Sequence, residues 1–266
     1  MSDGPTKGPP DGGPDRKDES TSDDAPWYRR WFGDDYLDLY PHRDQEEADR
    51  GVELLRTHAS LAGGSRVLDL ACGAGRHLAG LRSLGLRPVG LDLSRPLLLR
   101  AREIGPGLPL VRGDMRSLPF ADGSFDAVAS YFTSFGYFAD ASDDSRVLRE
   151  VRRVLVAGGV YLLDFLNAAR VRRTLSPRDE GNIEGRRVLI ERRIVEERYV
   201  EKSIRFPEAS REAGKGFKER VRLYEPEELE DLLRAEALVP ERRFGNYGGA
   251  PFRDSSPRVI VLARAA

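Results

Sequence analysis

The sequence predicts an α/β protein built on an open, doubly wound sheet of about seven strands. Two observations carry this. Val67 to Leu70 is a short apolar run that breaks into Cys72-Gly73-Ala74-Gly75, continues as a helical pattern, and leads to a second run, Pro88 to Leu91. Five more apolar runs follow, most of them separated by helix patterns or turn signals, which is the layout of strands with helices packed on a sheet.

The first unit sets the chemistry. In Cys72-Gly73-Ala74-Gly75 two glycines let the backbone turn sharply and approach a ligand without Cβ interference. A helix follows with Leu78, Leu81 and Leu84 on one face and Gly85 as its stop. The second strand ends in Asp92, where a carboxylate can accept both hydroxyl protons of a ribose lying across the strand ends. Dinucleotide folds use the same device. Here Arg76-His77 stands where their third glycine would be, and Asp69 inside the first strand would repel a phosphate.

VLDLACGAG, GLDLS and GDMRSLPFADGSFDAV follow one another in order, and in this the chain resembles the class I, Rossmann-like S-adenosylmethionine-dependent methyltransferases. The resemblance runs from about Asp69 to the C-terminus. It implies S-adenosylmethionine as cofactor, with Asp69, Ala71, Cys72, Gly73, Gly75, Asp92, Leu93, Asp114, Met115 and Ser130 along it. Asp114 would accept from the adenine amino group and the Met115 N–H would meet a ring nitrogen; capping of the next turn is the alternative for Asp114. The resemblance also implies one antiparallel strand near the C-terminus.

Composition narrows the classes. The chain has 266 residues, 39% hydrophobic, enough for one sizeable core. A net charge of −1 gives no broad basic field for nucleic acid, and no run is long enough to span a bilayer. A single cysteine excludes an internal disulfide and fits a cytoplasmic location. The histidines lack metal-ligand spacing, so no metal is expected.

In chain order, residues 1–26 are rich in Gly, Pro, Asp and Ser and read as a disordered tail. Residues 27–266 form a single domain, opening with a helical cap over 27–60. Trp27 and Trp31 read as anchors on the core. Tyr36, Tyr40 and Arg43 either anchor that cap or serve the cleft, Tyr40 as a ring beside a sulfonium and Arg43 as a grip on a carboxylate. Ser94 caps a helix to Glu103, Leu108 to Val111 is the third strand, and Phe125 to Ser130 the fourth.

Tyr131, Phe132, Phe135 and Tyr137 lie just beyond that fourth strand, where open α/β sheets bind ligands. With Tyr36, Tyr247 and Phe252 they form the expected substrate pocket. His77, Tyr131, Ser134 and Tyr247 are the candidates for orienting an acceptor or taking its proton, each with a packing role as the alternative. A helix over Asp143 to Val154 then passes through Gly158-Gly159 to a fifth strand, Val160 to Phe165.

Residues 167–224 depart from this regularity. They mix β-branched, aromatic and charged residues, and read as an inserted antiparallel β-layer that closes the substrate side or mediates a homodimer; a long charged helix is the competing assignment. Pro226 to Ala235 is a helix begun by proline and acids, and Leu238 to Phe244 and Arg258 to Ala263 are the last strands.

The expected reaction is methyl transfer to nitrogen or oxygen of a small molecule by in-line displacement, with neither nucleic acid nor membrane as partner. The rivals are a non-catalytic cofactor-binding scaffold and a nicotinamide-dependent oxidoreductase.

Overall fold

The computed structural model describes residues 26–33, 36, 45–183, 186–207 and 216–266. Tyr40, Arg43 and the tail before Pro26 lie outside the described residues. Among the described residues, α1 (Trp27–Trp31) and the longer α2 (Gln45–Ala59) precede the sheet. Then come β1 (Arg66–Leu70), α3 (Arg76–Ser83), β2 (Arg87–Asp92), α4 (Arg95–Ile104), β3 (Leu110–Arg112) and β4 (Phe125–Ser130). They are followed by α5 (Ala141–Val154), β5 (Leu155–Leu166) and α6 (Ala168–Thr174). A second sheet holds β6 (Arg178–Ile183), β7 (Arg186–Val195), β8 (Tyr199–Arg205) and β9 (Gly216–Arg222). The chain closes with α7 (Pro226–Ala235), β10 (Leu238–Phe244) and β11 (Arg258–Ala265).

The main sheet has seven strands in the order β10-β11-β5-β4-β1-β2-β3, with β11 antiparallel to both neighbours and the rest of the pairs parallel. The order reverses direction at β1 and β4, so a crevice opens beyond their carboxyl ends, the usual ligand position in such sheets. Side-chain alternation fills both faces. Val67, Ala127, Val160, Leu162 and Ile260 pack with Leu55 and Leu81 from α2 and α3. Leu68, Leu70, Val128, Tyr161 and Leu163 pack with Val147, Leu148 and Leu233 from α5 and α7.

Several expectations are corrected. β5 begins at Leu155, directly from α5. Gly158, at φ +73°, and Gly159 lie within the strand, where pairing jumps from Phe125↔Leu155 to Ala127↔Val160. The glycines form a bulge, not a preceding turn. β3 is shorter and later than expected, because Leu108 closes a turn back onto Gly105 O. Leu84 caps α3 and is 37% exposed, so the buried face of that helix is His77, Leu78 and Leu81. The sequence reading missed α6, whose N-cap Asn167 accepts from Arg170 N and donates its amide to the carbonyls of Arg253, Asp254 and Ser256.

The inserted segment forms an antiparallel sheet, in the order β6-β7-β8-β9, and not a charged helix. Register separates its faces. Ile190 pairs Ile204, which pairs Phe217, and this apolar side with Val188 packs on Trp31 of α1. Trp31 is 1% exposed and donates its indole N–H to Glu219 at 2.6 Å. Both tryptophans thus anchor, but Trp31 does so on the inserted layer and not on the main core. The opposite side carries ion pairs such as Arg193–Glu201, Arg205–Glu191 and Arg187–Glu180.

Candidate active site

The β1–α3 turn is built by backbone geometry. Gly73 (φ +55°) and Gly75 (φ +78°) adopt left-handed conformations that L side chains resist. Gly75 also packs tightly: a Cβ there would meet the Ala101 Cβ at 3.0 Å. It supports the turn from the α4 side and is not among the residues that line the cleft. Gly73 N–H instead points at Asp92, donating to Oδ2 at 2.8 Å, while Ser94 N–H donates to Oδ1 at 2.8 Å. Burial raises the Asp92 carboxyl pKa, and these backbone donors oppose the shift.

Around Asp92 opens a cleft of about 340 Å³. Ala71, Cys72, Gly73, Leu93 and Met115 line it, as do Tyr36, Tyr131, Phe132, Tyr137, His77 and Ser134. Asp114 lines it too, held by Arg116 at 2.7 Å and with Arg29 at 3.8 Å. Partial burial raises the Asp114 pKa, but hydrogen bonds and charge from Arg116, with Arg29, outweigh it and hold the carboxyl below the ordinary range. The sequence reading missed Tyr28, Phe32, Leu97 and Phe138, which complete the apolar wall. For Tyr28 and Phe32 the signal was present in the aromatic run from Trp27.

The loop after β4 is pinned from below. Phe132 (φ +57°) and Thr133 (φ +58°) are consecutive non-glycine residues in the left-handed region. Asp164 of β5 holds both: its carboxylate accepts from Phe132 N at 2.7 Å and its carbonyl from Thr133 N at 3.1 Å. The same carboxylate accepts from Tyr247 OH and from Arg258, whose second arm reaches Glu47 of α2. Tyr247 is therefore a brace behind the cleft and is not among its lining residues, where the substrate pocket was expected to place it. Phe135 is 1% exposed in the main core, and Phe252 lies under Arg243. Neither lines the cleft. Ser130 accepts from Tyr161 OH at 3.1 Å, which places its hydroxyl in the core and not along the cleft.

His77 stacks on Tyr131 with centroids 3.9 Å apart and planes 12° apart. Burial, with Arg76 and Arg258, pushes the imidazole well below its usual range, so it is neutral at pH 7. Burial pushes the Tyr131 phenol well up, with Asp69 and Asp164 adding to the shift. Asp69 lies behind the lining, 1% exposed, its pKa raised to about 8 by burial and by Asp92. Buried polar atoms normally find partners. Among the described residues, Asp69 Oδ2, His77 Nε2, Tyr131 OH and Ser134 Oγ have none, and all four sit in or beside this cleft.

Comparison with known proteins agrees with this arrangement. Residues 68–163 match a family described as a methyltransferase domain. The chain is 31% identical over 143 residues to the putative methyltransferase YqeM of Bacillus subtilis, covering 53% of this chain and 56% of that one. Residues 68–163 thus carry a methyltransferase domain, and the chain is similar to S-adenosylmethionine-dependent methyltransferases.

The chain is also 31% identical over 140 residues to a dTDP-4-amino-2,3,4,6-tetradeoxy-D-glucose N,N-dimethyltransferase of Saccharopolyspora spinosa, covering 50% of this chain and 55% of that one. It thus spans about half the length of the curated relatives it matches. A solved S-adenosylmethionine-dependent methyltransferase from Clostridium acetobutylicum shares its fold, with TM-score 0.73, 22% identity, and coverage of 87% of this chain and 96% of that one. CalS10, an amino pentose methyltransferase solved with S-adenosylmethionine bound, superposes with TM-score 0.64 at 23% identity, covering 87% and 96% of the two chains.

The residues of the cleft fit S-adenosylmethionine, the cofactor of the methyltransferases that the chain resembles. Asp92 has lone pairs beyond its two backbone bonds for ribose hydroxyls. The wall is aromatic, and the orphaned buried polar atoms supply partners for a ligand. Among the described residues no helix is long and apolar enough to cross a membrane.

Proposed function

We propose that the protein transfers a methyl group from S-adenosylmethionine to a nitrogen or oxygen of a small-molecule acceptor by in-line displacement. The observation that carries this reading is the buried carboxylate of Asp92, fixed by Gly73 and Ser94 at the base of an aromatic-walled cleft. When bound, the cofactor supplies a methyl on a positively charged sulfur, which an aligned lone pair can displace. The chain's task is then to align and to dry the site. Tyr131, Phe132, Tyr137 and Phe32 exclude water, and the spare hydroxyls of Tyr131 and Ser134 offer hydrogen bonds to an acceptor.

The neutral His77 ring holds Tyr131 in place by stacking and leaves Nε2 as a further polar contact. The inserted layer closes the acceptor side through α1, within a single domain over 27–266; a homodimer through that layer is the second arrangement, distinguished by sedimentation equilibrium. Nitrogen is favoured by the relatives whose names specify amino sugars. Amino-sugar nucleotides are accordingly the first acceptors to screen, with release of S-adenosylhomocysteine as the readout. Calorimetric titration with S-adenosylhomocysteine and with NAD tests the donor; binding of NAD alone refutes the reading, and binding without turnover on any acceptor supports a scaffold.

A further inference from the structure

Asp69 is the buried acid that the proposed reaction leaves unused. It lies one residue from the end of β1, 1% exposed, behind Ala71, Cys72 and His77 of the cleft wall. Its Oδ2 accepts no hydrogen bond, and His77 Nδ1 lies 3.8 Å away. The groups facing it are Asp92 at the tip of β2, Cys72 in the turn, Arg76 and His77 in the first turn of α3, and Tyr131 at the end of β4. Of these only Arg76 is a cation, and its guanidinium lies 4.7 Å from the centre of the Phe132 ring.

The two acids differ in their donors. Asp92 takes backbone N–H bonds on both oxygens, which favours its ionised form; Asp69 Oδ2 takes none and faces Asp92 across the turn. Neighbouring acids in such unequal settings ionise separately. We propose that Asp69 lets the cleft distinguish the methyl donor from its product, which has lost the sulfonium charge: it is a neutral carboxylic acid in the free protein and becomes a carboxylate when the sulfonium is bound.

The inference rests on the cofactor reading above. The proton leaves the Asp69 carboxyl for the buffer as the ligand's positive charge enters, so the site's net charge is conserved. Once the sulfur is a neutral thioether, the carboxylate has lost its counter-charge, recovers a proton from solvent, and product release is favoured. A carboxyl pKa raised to about 8 by burial and by Asp92 is consistent with this exchange at neutral pH.

Calorimetry in buffers of different ionisation enthalpy, from about pH 6 to about pH 9, counts the protons exchanged by S-adenosylmethionine and by S-adenosylhomocysteine. Subtracting the counts for Asp69→Asn removes the ligands' own titration. The expected result is an Asp69-dependent proton release with S-adenosylmethionine near pH 7, fading above about pH 9, and none with S-adenosylhomocysteine. The Asp69-dependent preference for the donor rises by up to ~10-fold per pH unit below about pH 8 and then levels.

Infrared difference spectra of the unmodified protein provide a check that needs no variant. A protonated-carboxyl band should disappear with S-adenosylmethionine and persist with S-adenosylhomocysteine. Equal Asp69-dependent counts for the two ligands, or a band unaffected by either, overturn this inference while leaving the cofactor reading intact. Binding of neither ligand overturns both.

Discussion

The carboxyl ends of β2 and β5 each carry a buried aspartate, and the two are employed differently. Asp92, 8% exposed, receives two backbone N–H bonds and turns its remaining lone pairs to the cleft. Asp164, fully buried, has its donors supplied from within: Phe132 N, Tyr247 OH and the Arg258 guanidinium. One acid is left partly unsatisfied by the fold and so is available to a ligand. The other is saturated and serves as a fastening point. Burial alone therefore does not mark a binding acid; the distinguishing feature is whether the protein itself completes its hydrogen bonds.

The comparison is tested most severely at Asp164. Asp164→Ala leaves Arg258, itself mostly enclosed, with Glu47 as its remaining acid, and should cost about 3–5 kcal/mol of stability in a urea melt. Loss of less than about 1 kcal/mol would remove its status as a fastening point. Asp92→Ala should instead act on the ligand. Calorimetry with S-adenosylhomocysteine should show binding weaker by ~2–3 kcal/mol, from two lost hydrogen bonds to a charged acceptor. An unchanged affinity would put Asp92 in the same class as Asp164.

Asp144 extends the comparison to an intermediate case. It accepts from Tyr224 OH at 2.7 Å, but its Oδ1 has no partner, and burial, opposed by Tyr224 and Arg222, raises its pKa to about 6. The folded state thus prefers the neutral acid. Stability is unaffected below the unfolded pKa near 4, falls as pH rises from about 4 to about 6, and stays lowered above that. Asparagine mimics the protonated form, so Asp144→Asn should gain about 1–3 kcal/mol at pH 8 and almost nothing at pH 4, read from melts at the two pH values. Gly75→Ala, which strains the turn that presents Gly73 N–H to Asp92, should cost about 1–2 kcal/mol and weaken S-adenosylhomocysteine only through that distortion. A melting temperature equal to that of the parent protein would show that the turn relaxes freely.

Local signals account for what was legible in the sequence. β4 and α7 fall at their expected bounds because turn residues, proline and acids mark the same ends as the apolar pattern. That Gly73 and Asp92 meet at one end of the sheet was legible because both residues belong to one β-turn-α-β unit, but the hydrogen bond between them was not. α6 was not, since seven residues give too little periodicity and its Asn167 cap takes partners from the loop before β11. Phe132 and Phe135 are indistinguishable as letters; only the left-handed bend that Asp164 imposes sends one ring to the cleft and the other to the core. That bend depends on Tyr247 and Arg258, which return from the far end of the chain. Gly90 was passed over inside an apolar run, yet a Cβ there would meet Leu78, Cys72 and Leu110 within 3 Å.

The short helix α1 has a consequence for how this protein can vary. Trp31 is seated on Val188, Ile204 and Phe217, while Tyr28 and Phe32, on the same turn, wall the cleft. The inner residues of the inserted sheet therefore answer to ligand geometry without approaching any ligand, whereas its ion-paired outer strip does not. Among natural variants of this chain, Ile204 and Phe217 should drift only in step with Trp31, and Arg193, Arg205 and Glu191 should exchange freely.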